Sequence, residues 1–298
     1  MVRSIIRRVV VVLAVILVLI FGRGLFYYSG FYQAPTIEAP SFNKIVAPLA
    51  PSTEYSDSYQ MAEGSILFDI AHSNNFDTEE LNVLILRLVS RGLTVDFFSS
   101  EDDLEKKLLS EPEAAEDIEQ IEEGGEESEL PPNAFLVVCP WEEFTRDDIK
   151  HVSEFVENGG KLLLIGDPTR RSQINSLSYH FGLIFEPDYL YNMKENDANY
   201  RNIFISNFKE NTITKKLQTI AMYTAGSISS DNYGIAFCDD NTFSSLVETS
   251  SNLSPIAKRS NVLGIYDLTF FTEPYIGVLD NNQLISNIAD WLAYRTSD

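Results

Sequence analysis

Polar side chains gather directly after an apolar run in the stretch SILFDIAHSNNFDTEEL, which spans residues 65–81. Four of them could take part in chemistry, namely Asp69, His72, Asn74 and Asn75. A histidine beside a carboxylate is a common acid–base pair in enzymes, and amide side chains hydrogen-bond polar ligands. The same Asx residues also shape turns and cap helices. The stretch therefore leaves two interpretations open, a reaction or binding centre and an ordinary strand-to-helix turn.

Polar residues also follow other apolar runs of the chain. Asp167 follows KLLLIG, and Asp267 follows NVLGIY. Ligands of open parallel sheets bind beyond the carboxyl ends of the strands, where such residues meet. We therefore expect any ligand site to be a crevice lined by His72, Asn74, Asn75, Asp167 and Asp267. Helix N-termini at that edge favour an anionic or hydroxyl-rich group, whereas the carboxylates oppose a strong anion, so a neutral polar ligand such as a sugar is predicted.

Other kinds of reactive centre find less support. Of the other histidines, His151 falls on the exposed side of its helical stripe and His180 near a helix end, which leaves His72 as the candidate. Cys139 is followed by Pro140 rather than by a small-residue elbow or a helix N-terminus, so we do not expect a nucleophile there. We expect no metal site and no cofactor, because the chain has no HxxxH, HxH or CxxC pattern.

The elements that must position these residues alternate along the chain. Apolar runs at residues 65–71, 93–98, 133–141 and 161–167 are typical of strands, and stripes at helical spacing follow the first and the third. This order of elements predicts an α/β fold with a doubly wound, mostly parallel sheet and right-handed crossovers: strand, helix, strand, strand, helix, strand. Further strands are predicted in YRNIFISNF, TIAMYTA, YGIAFCD and NVLGIYD.

Helix starts are marked by capping residues. Two pairs have the spacing of a capping box, Asp77 with Glu80 three residues later and Thr145 with Asp148. Asp280 is predicted to cap the last helix, whose apolar stripe should pack on the sheet and close the domain.

The N-terminus has the pattern of a membrane segment. Arg3, Arg7 and Arg8 precede an apolar run from Val9 to Gly22, and aromatic residues follow it. The run is short enough for a signal peptide, but no small-x-small cleavage pattern follows directly. We therefore predict an uncleaved anchor at residues 1–32, with a cytoplasmic tail and an extracytoplasmic domain at the cell membrane.

Two segments should lie outside the core. Residues 33–62 are rich in proline, which is typical of an extended stalk. The α/β domain then covers residues 63–298, interrupted at about 101–132 by an acidic insert expected to be solvated and dispensable for folding. The insert lacks the spacing of an EF-hand, which disfavours specific calcium binding.

Composition limits the partners. The chain has 298 residues and a formal net charge of −22, which excludes a strong nucleic-acid interface because phosphate contacts require Lys and Arg. Its two cysteines, Cys139 and Cys238, make no disulfide framework, although a single bridge between them stays open.

Four motifs together resemble the domain-of-unknown-function 4350 family, namely FDIAHSNNF, KLLLIGDP, NTITKKL and IYDLTFFTEPYIGVLDNNQLISNIADWLA. That family is similar to GldG-type components found beside ABC transporters and to the N-terminal domain of an intraflagellar-transport subunit. The resemblance covers about residues 65–293 and implies a class I glutamine amidotransferase-like or flavodoxin-like fold. It also implies that a nucleophilic cysteine would follow LLLIG, where this chain has Asp167, so amidotransferase activity is not carried over.

Three functions from different classes remain. The first is a non-catalytic, membrane-anchored binding or assembly module with a transporter or envelope protein as partner. The second is an envelope hydrolase that acts on a glycan or peptide through His72 and nearby carboxylates. The third is a purely structural envelope protein. A pocket with His72 hydrogen-bonded to Asp69 or Asp167 would favour the second, and the absence of a pocket at the strand ends would favour the third.

Overall fold

The computed structural model describes residues 2–28, 48–109, 130–246 and 252–296. Contacts divide the chain into two units, Met1–Val46 and Ala47–Asp298. The described part of the first unit is one helix, α1 (Val2–Tyr28). Its segment Ile6–Phe26 is long and apolar enough to cross a membrane, a property that a signal sequence shares.

The second unit contains strands and helices in alternation along its first half. Its strands are β1 (Ser65–Asp69), β2 (Thr94–Phe98), β3 (Ala134–Val138), β4 (Lys161–Gly166), β5 (Ile184–Phe185), β6 (Leu190–Asn192), β7 (Asn202–Ile205), β8 (Asn207–Phe208), β9 (Ile220–Tyr223), β10 (Ile228–Ser229), β11 (Gly234–Phe237), β12 (Thr242–Ser244), β13 (Ile256–Arg259) and β14 (Val262–Tyr266). Its α-helices are α2 (Asn82–Ser90), α3 (Leu104–Leu109), α4 (Arg146–Glu157), α5 (Asn175–Ser178) and α6 (Asn281–Leu292).

Eight strands form the central sheet in the order β2-β1-β3-β4-β14-β13-β11-β8. The first five run parallel, which confirms the predicted parallel sheet for this half. The last three pairings are antiparallel. The change of direction has a local cause, because only Ser260 and Asn261 separate β13 from β14 and a parallel pair needs a much longer crossover.

Helices cover both faces of the sheet, so the doubly wound arrangement is present. Along β3, Leu136 and Val138 join an apolar core that also contains side chains of α2 and α6. Phe135 and Val137 alternate with them and join a second core with side chains of α3, α4 and α5. Strands buried on both faces need continuous apolar runs, which explains why β3 and β4 are so easily recognised.

The predicted insert is smaller than expected. Residues 101–109 belong to the fold, because α3 packs on α4 and buries Leu104 and Leu108. This helix also covers His151, whose side chain is 15% exposed rather than at the surface, with Nε2 3.6 Å from the Glu105 carboxylate. The remainder of the predicted insert, from 110 to 129, lies outside the described residues.

The predicted stalk is also shorter. Residues 48–62, here called the strap, lie against the domain, and residues 33–47 lie outside the described residues. The Thr53 amide donates to the Gly277 carbonyl at 2.9 Å, and Asp57 pairs with Arg91 at 3.1 Å. The Arg91 side chain is fully buried, so the strap supplies a countercharge that the core requires.

Two of the three predicted helix caps are confirmed. Capping boxes form at Asp77, where a 3₁₀ turn precedes α2, and at Thr145, which opens α4. Asp280 precedes α6 but its side chain makes no cap hydrogen bond to that helix. Its Oδ2 accepts instead from the amides of Gln218 and Thr219, so the prediction of a side-chain cap is wrong.

Candidate functional site

Asp69 and His72 form a hydrogen-bonded pair at the end of β1. The Asp69 Oδ1 atom lies 2.9 Å from His72 Nδ1, and the same oxygen accepts the Ala71 amide at 3.1 Å. Asp69 is buried and His72 is only 8% exposed. The carboxylate therefore orients the imidazole and places its Nε2 atom on the opposite side of the ring.

The far side of the imidazole faces a second carboxylate. His72 Nε2 lies 3.8 Å from Asp148 Oδ2, at the N-terminus of α4, and the ring stacks on Phe144 with centroids 3.7 Å apart. Burial lowers the pKa of His72, but the hydrogen bond and charge of Asp69, together with Asp148, outweigh it and raise the pKa above its ordinary value. The arrangement can hold an imidazolium between two carboxylates.

The two asparagines have different roles. Asn74 Nδ2 donates to the Val138 carbonyl at 2.9 Å and to Asp69 at 3.2 Å, while its Oδ1 is buried and has no partner among the described residues. Asn75 is exposed and acts through its backbone, because its amide donates to the Cys139 carbonyl at 2.9 Å and its carbonyl accepts from Arg170 at 2.8 Å. Both therefore hold the turn after β1 against its neighbours.

Asp167 and Asp267 do not line a crevice, which corrects the predicted site. Their exposed fractions are 1% and 0%. Asp167 accepts from the Thr169 amide at 2.8 Å and the Leu268 amide at 3.2 Å, and Asp267 accepts from the amides of Tyr223 and Thr269. Burial and the Asp167 charge raise the pKa of Asp267 well above its ordinary value.

The turn after β3 is sharper than the sequence indicates. Cys139 has a φ of 43°, in the left-handed region that non-glycine residues rarely adopt. Its side chain is nevertheless fully buried. Burial and the Asp167 charge raise the pKa of the thiol to about 12, so a thiolate nucleophile is strongly disfavoured.

A cavity of about 460 Å³ opens beyond the carboxyl ends of β4 and β14. None of the five predicted site residues lines it. Aromatic and apolar side chains form much of its wall, and polar ones from the loop after β4 and from residues 184–189 complete it: Pro168, Arg170, Arg171, Tyr179, Phe185, Glu186, Tyr189 and Tyr266 are among the lining residues. This size and mixture are typical of small-molecule sites.

Tyr266, the last residue of β14, lines this cavity. It is 9% exposed, and its hydroxyl has no hydrogen-bond partner among the described residues. A Cβ on Gly226 would lie 2.4 Å from the ring and one on Gly166 would lie 3.0 Å from it, so both glycines are needed for the ring to fit. Burial raises the pKa of Tyr266, which keeps the hydroxyl protonated as a donor.

The cavity rim connects to the His72 turn. Arg170 forms a two-pronged ion pair with Glu80, and the Arg171 guanidinium lies 4.7 Å from the centroid of the Trp141 ring. The Trp141 amide in turn donates to the His72 carbonyl at 2.9 Å. The cavity and the Asp69–His72 pair therefore share one edge of the sheet but are separate features.

Sequence reasoning missed Tyr266 although it selected the next residue. Side chains alternate along a strand, so Tyr266 and Asp267 point to opposite faces of the sheet, and the aromatic one faces the cavity. The available signal was an amphipathic aromatic side chain at a strand end, which resembles an ordinary core residue in sequence.

The described residues contain no cluster of three or more His, Cys, Asp or Glu side chains arranged to hold a metal ion. Side chains at this edge that could ligate a metal are already paired with other side chains, as in Asp69 with His72 and Glu80 with Arg170. The arrangement can bind and orient a polar molecule, and it can hold a proton on His72.

No family model and no curated protein matches the chain. Among solved structures, it is similar to the "mmIFT52 N-terminal domain", with 15% identity, a TM-score of 0.58, and coverage of 78% of this chain and 98% of that one. A ThuA-like protein from Parabacteroides merdae (12% identity, TM-score 0.41, coverage 80% and 93%) and a cytoplasmic protein from Salmonella typhimurium (12% identity, TM-score 0.44, coverage 78% and 100%) are more distant. At this identity the first similarity concerns the fold alone, a mixed α/β domain built on one large sheet.

Proposed function

We propose that this chain is a membrane-anchored binding module whose α/β domain binds a small neutral polar ligand, such as a sugar, in the cavity beyond β4 and β14. The observation that carries the proposal is the cavity of about 460 Å³, whose lining includes Tyr266, a residue whose hydroxyl makes no hydrogen bond to the described residues. A ligand oxygen in the cavity can accept a hydrogen bond from that hydroxyl.

The ligand class follows from the wall of the cavity. The aromatic lining residues Tyr179 and Tyr189 suit the C–H surface of a ring, while Tyr266 and Glu186 carry a donor and an acceptor suited to hydroxyl groups. Two arginines, Arg170 and Arg171, and two acids, Glu186 and Asp188, line the cavity, so their formal charges balance, which disfavours a ligand of high net charge. A neutral polyhydroxylated ring satisfies all of these groups.

The test uses the full chain in a neutral detergent and a panel of neutral mono- and disaccharides. A ligand should raise the Tm of the wild type, and Tyr266→Phe, which removes only the hydroxyl, should weaken its binding about two- to tenfold, the usual effect of losing one hydrogen bond. Tyr294→Phe is the matched control, because that hydroxyl lies away from the cavity and donates to the Met61 carbonyl. Equal binding by both variants would contradict the proposal.

The location and partner rest on other grounds. The apolar helix α1 and the arginines at its N-terminal end support a single-pass cell-membrane protein with the domain outside. The resemblance to transporter-associated families supports an ABC-type transporter or another envelope protein as partner. Purification of the tagged full chain from native membranes should recover such a partner, and recovery of the chain alone would count against it.

One observation favours a second candidate, an envelope hydrolase. His72 is hydrogen-bonded to Asp69 on one side and faces Asp148 on the other, which is the form of an oriented acid–base group. Its side chain is 10% exposed and does not line the cavity, so this candidate ranks second. Hydrolysis of a glycan or peptide substrate that is lost in His72→Ala but retained in Tyr266→Phe would make it the better one.

A further inference from the structure

Two lysines at the opposite edge of the sheet share one aromatic ring. Lys161 is the first residue of β4, and Lys258 lies on β13. Their Nζ atoms lie 5.6 Å and 5.8 Å from the centroid of the Trp291 ring. This edge is formed by the amino ends of the parallel strands, so it is remote from the cavity described above.

Lys161 is buried, and no described residue supplies it with a countercharge. Its residue is 7% exposed, and its ammonium donates to Asn261 Oδ1 at 2.8 Å and to Thr296 Oγ1, both neutral acceptors. Lys258 is half-buried and donates to the Ser260 carbonyl at 2.7 Å. Neither ammonium forms an ion pair with a carboxylate in the part of the chain that the structure describes, although the whole chain has a net charge of −22.

This combination is energetically unusual. Lysines are almost never buried unless they are paired, because removing an ammonium from water is costly. Burial, reinforced by the neighbouring charge of Lys258, lowers the pKa of Lys161 to about 8. Burial also lowers the pKa of Lys258. Each ammonium would gain free energy from a negative charge placed near it.

Donors remain available for such a charge. A lysine ammonium has three N–H groups, of which Lys161 uses two and Lys258 one in the described hydrogen bonds. Thr296 is exposed and Asn261 half-buried, so the pair can be reached from solvent. An oxyanion presents several acceptor oxygens to such N–H donors and forms charge-assisted hydrogen bonds with them.

We infer that Lys161 and Lys258 form an anion site beside Trp291, which binds an oxyanion of the phosphate or carboxylate type. The site is independent of the cavity at the carboxyl edge.

The probes are inorganic phosphate and acetate, added to the full chain in neutral detergent at constant ionic strength with chloride as the balance. At about ten times its Kd, phosphate or acetate should raise the Tm by about 2–4 °C, and the shift should keep growing with the logarithm of the oxyanion concentration. The larger shift identifies the preferred oxyanion. In Lys258→Gln the shift should fall to less than half. Lys150→Gln, which alters an exposed lysine paired with Glu154 on α4, should retain it.

A second measurement does not depend on variant stability. The side-chain resonances of Lys161, followed by NMR as a function of pH, should report a pKa that rises when the oxyanion is added. Equal Tm shifts in chloride alone or in Lys258→Gln would overturn the inference, and so would a Lys161 pKa that does not respond to either oxyanion.

Discussion

The strap should contribute measurably to stability through Asp57. Arg91 is fully buried and donates to Asp57 at 3.1 Å and 3.3 Å, and Asp57 also accepts from the Ser286 hydroxyl at 2.5 Å. Asp57→Ala removes these bonds but leaves Arg91 its second carboxylate, Asp290, at 2.6 Å. Loss of a hydrogen-bonded partner of a buried charge costs about 3–5 kcal/mol, and the remaining carboxylate reduces the expected loss to about 2–3 kcal/mol.

Thermal unfolding of the full chain in neutral detergent measures this loss. For a domain of this size, 2–3 kcal/mol corresponds to a Tm lower by about 4–12 °C. Glu54→Ala is the matched control, because Glu54 is an exposed acid on the same strap, and a change within about 0.5 kcal/mol is expected for it. A loss for Asp57→Ala no larger than that of the control would show that the strap does not dock in solution.

The pH dependence gives an independent check on the same pair. Burial opposes the charge of Asp57, but the hydrogen bonds from Ser286 and Arg91 and the charge of Arg91 lower its pKa below the ordinary value. A carboxyl whose folded-state pKa is depressed contributes stability above its unfolded-state pKa and loses it as the pH falls through the folded-state value. The stability difference between wild type and Asp57→Asn should therefore be full at pH 7 and shrink below about pH 4.

Four further outcomes are expected. His72 has a raised folded-state pKa, so its stabilising pair with Asp69 should be fully present below about pH 6.5 and lost at higher pH, and the stability difference between wild type and His72→Gln should be larger at pH 5.5 than at pH 8.5. A difference that grows with pH would contradict this sign. Cys139 should react with iodoacetamide only after unfolding, since its thiol is buried with a pKa of about 12, and rapid labelling of the native chain would contradict that. Replacement of residues 110–129 by a short Gly/Ser linker should change the Tm little, whereas Leu108→Ala should cost about 2–4 kcal/mol because that side chain is buried in the core. Protease added to spheroplasts should remove the domain if the anchor orientation is right, and protection until lysis would reverse it.

The parallel half of the fold could be predicted because its signals are local. β3 and β4 are continuous apolar runs buried on both faces, and Thr145 with Asp148 forms the capping box that its spacing indicates. The antiparallel half depends on a short connection and on pairings between strands distant in sequence, for which periodicity carries little information. The strap escaped prediction because its proline content resembles a linker, while its docking depends on Arg91, an arginine that the helical pattern alone would place at the surface.

The candidate site could be predicted only as an edge of the sheet. The sequence indicates where strands end, and the His72 and Asp69 pair does form there. It does not indicate whether a polar side chain at a strand end has spare hydrogen-bonding capacity. The carboxylates of Asp167 and Asp267 are both occupied by backbone amides. Asp167 accepts from Leu268, and Asp267 accepts from Tyr223 and Thr269. The Leu268 and Tyr223 amides are distant in sequence from the carboxylates that they bind, so the sequence does not indicate these bonds.

A polar group at a strand end can therefore be structural or available to a ligand, and the difference lies in whether its hydrogen bonds and its charge are already satisfied by the protein. A buried carboxylate that accepts two or more backbone amides has its charge compensated, and moving it toward a ligand would break those bonds. Tyr266 is 9% exposed and lines the cavity, the glycines against its ring fix it in place, and its hydroxyl makes no hydrogen bond to the described residues. Lys161 is similar in kind, since its ammonium has neutral acceptors but no countercharge from the residues that the structure describes. An apolar side chain of similar volume would avoid the desolvation cost that the Lys161 ammonium incurs. We propose that bound molecules complete the interactions of both groups, which lie at opposite edges of the sheet, where strands end.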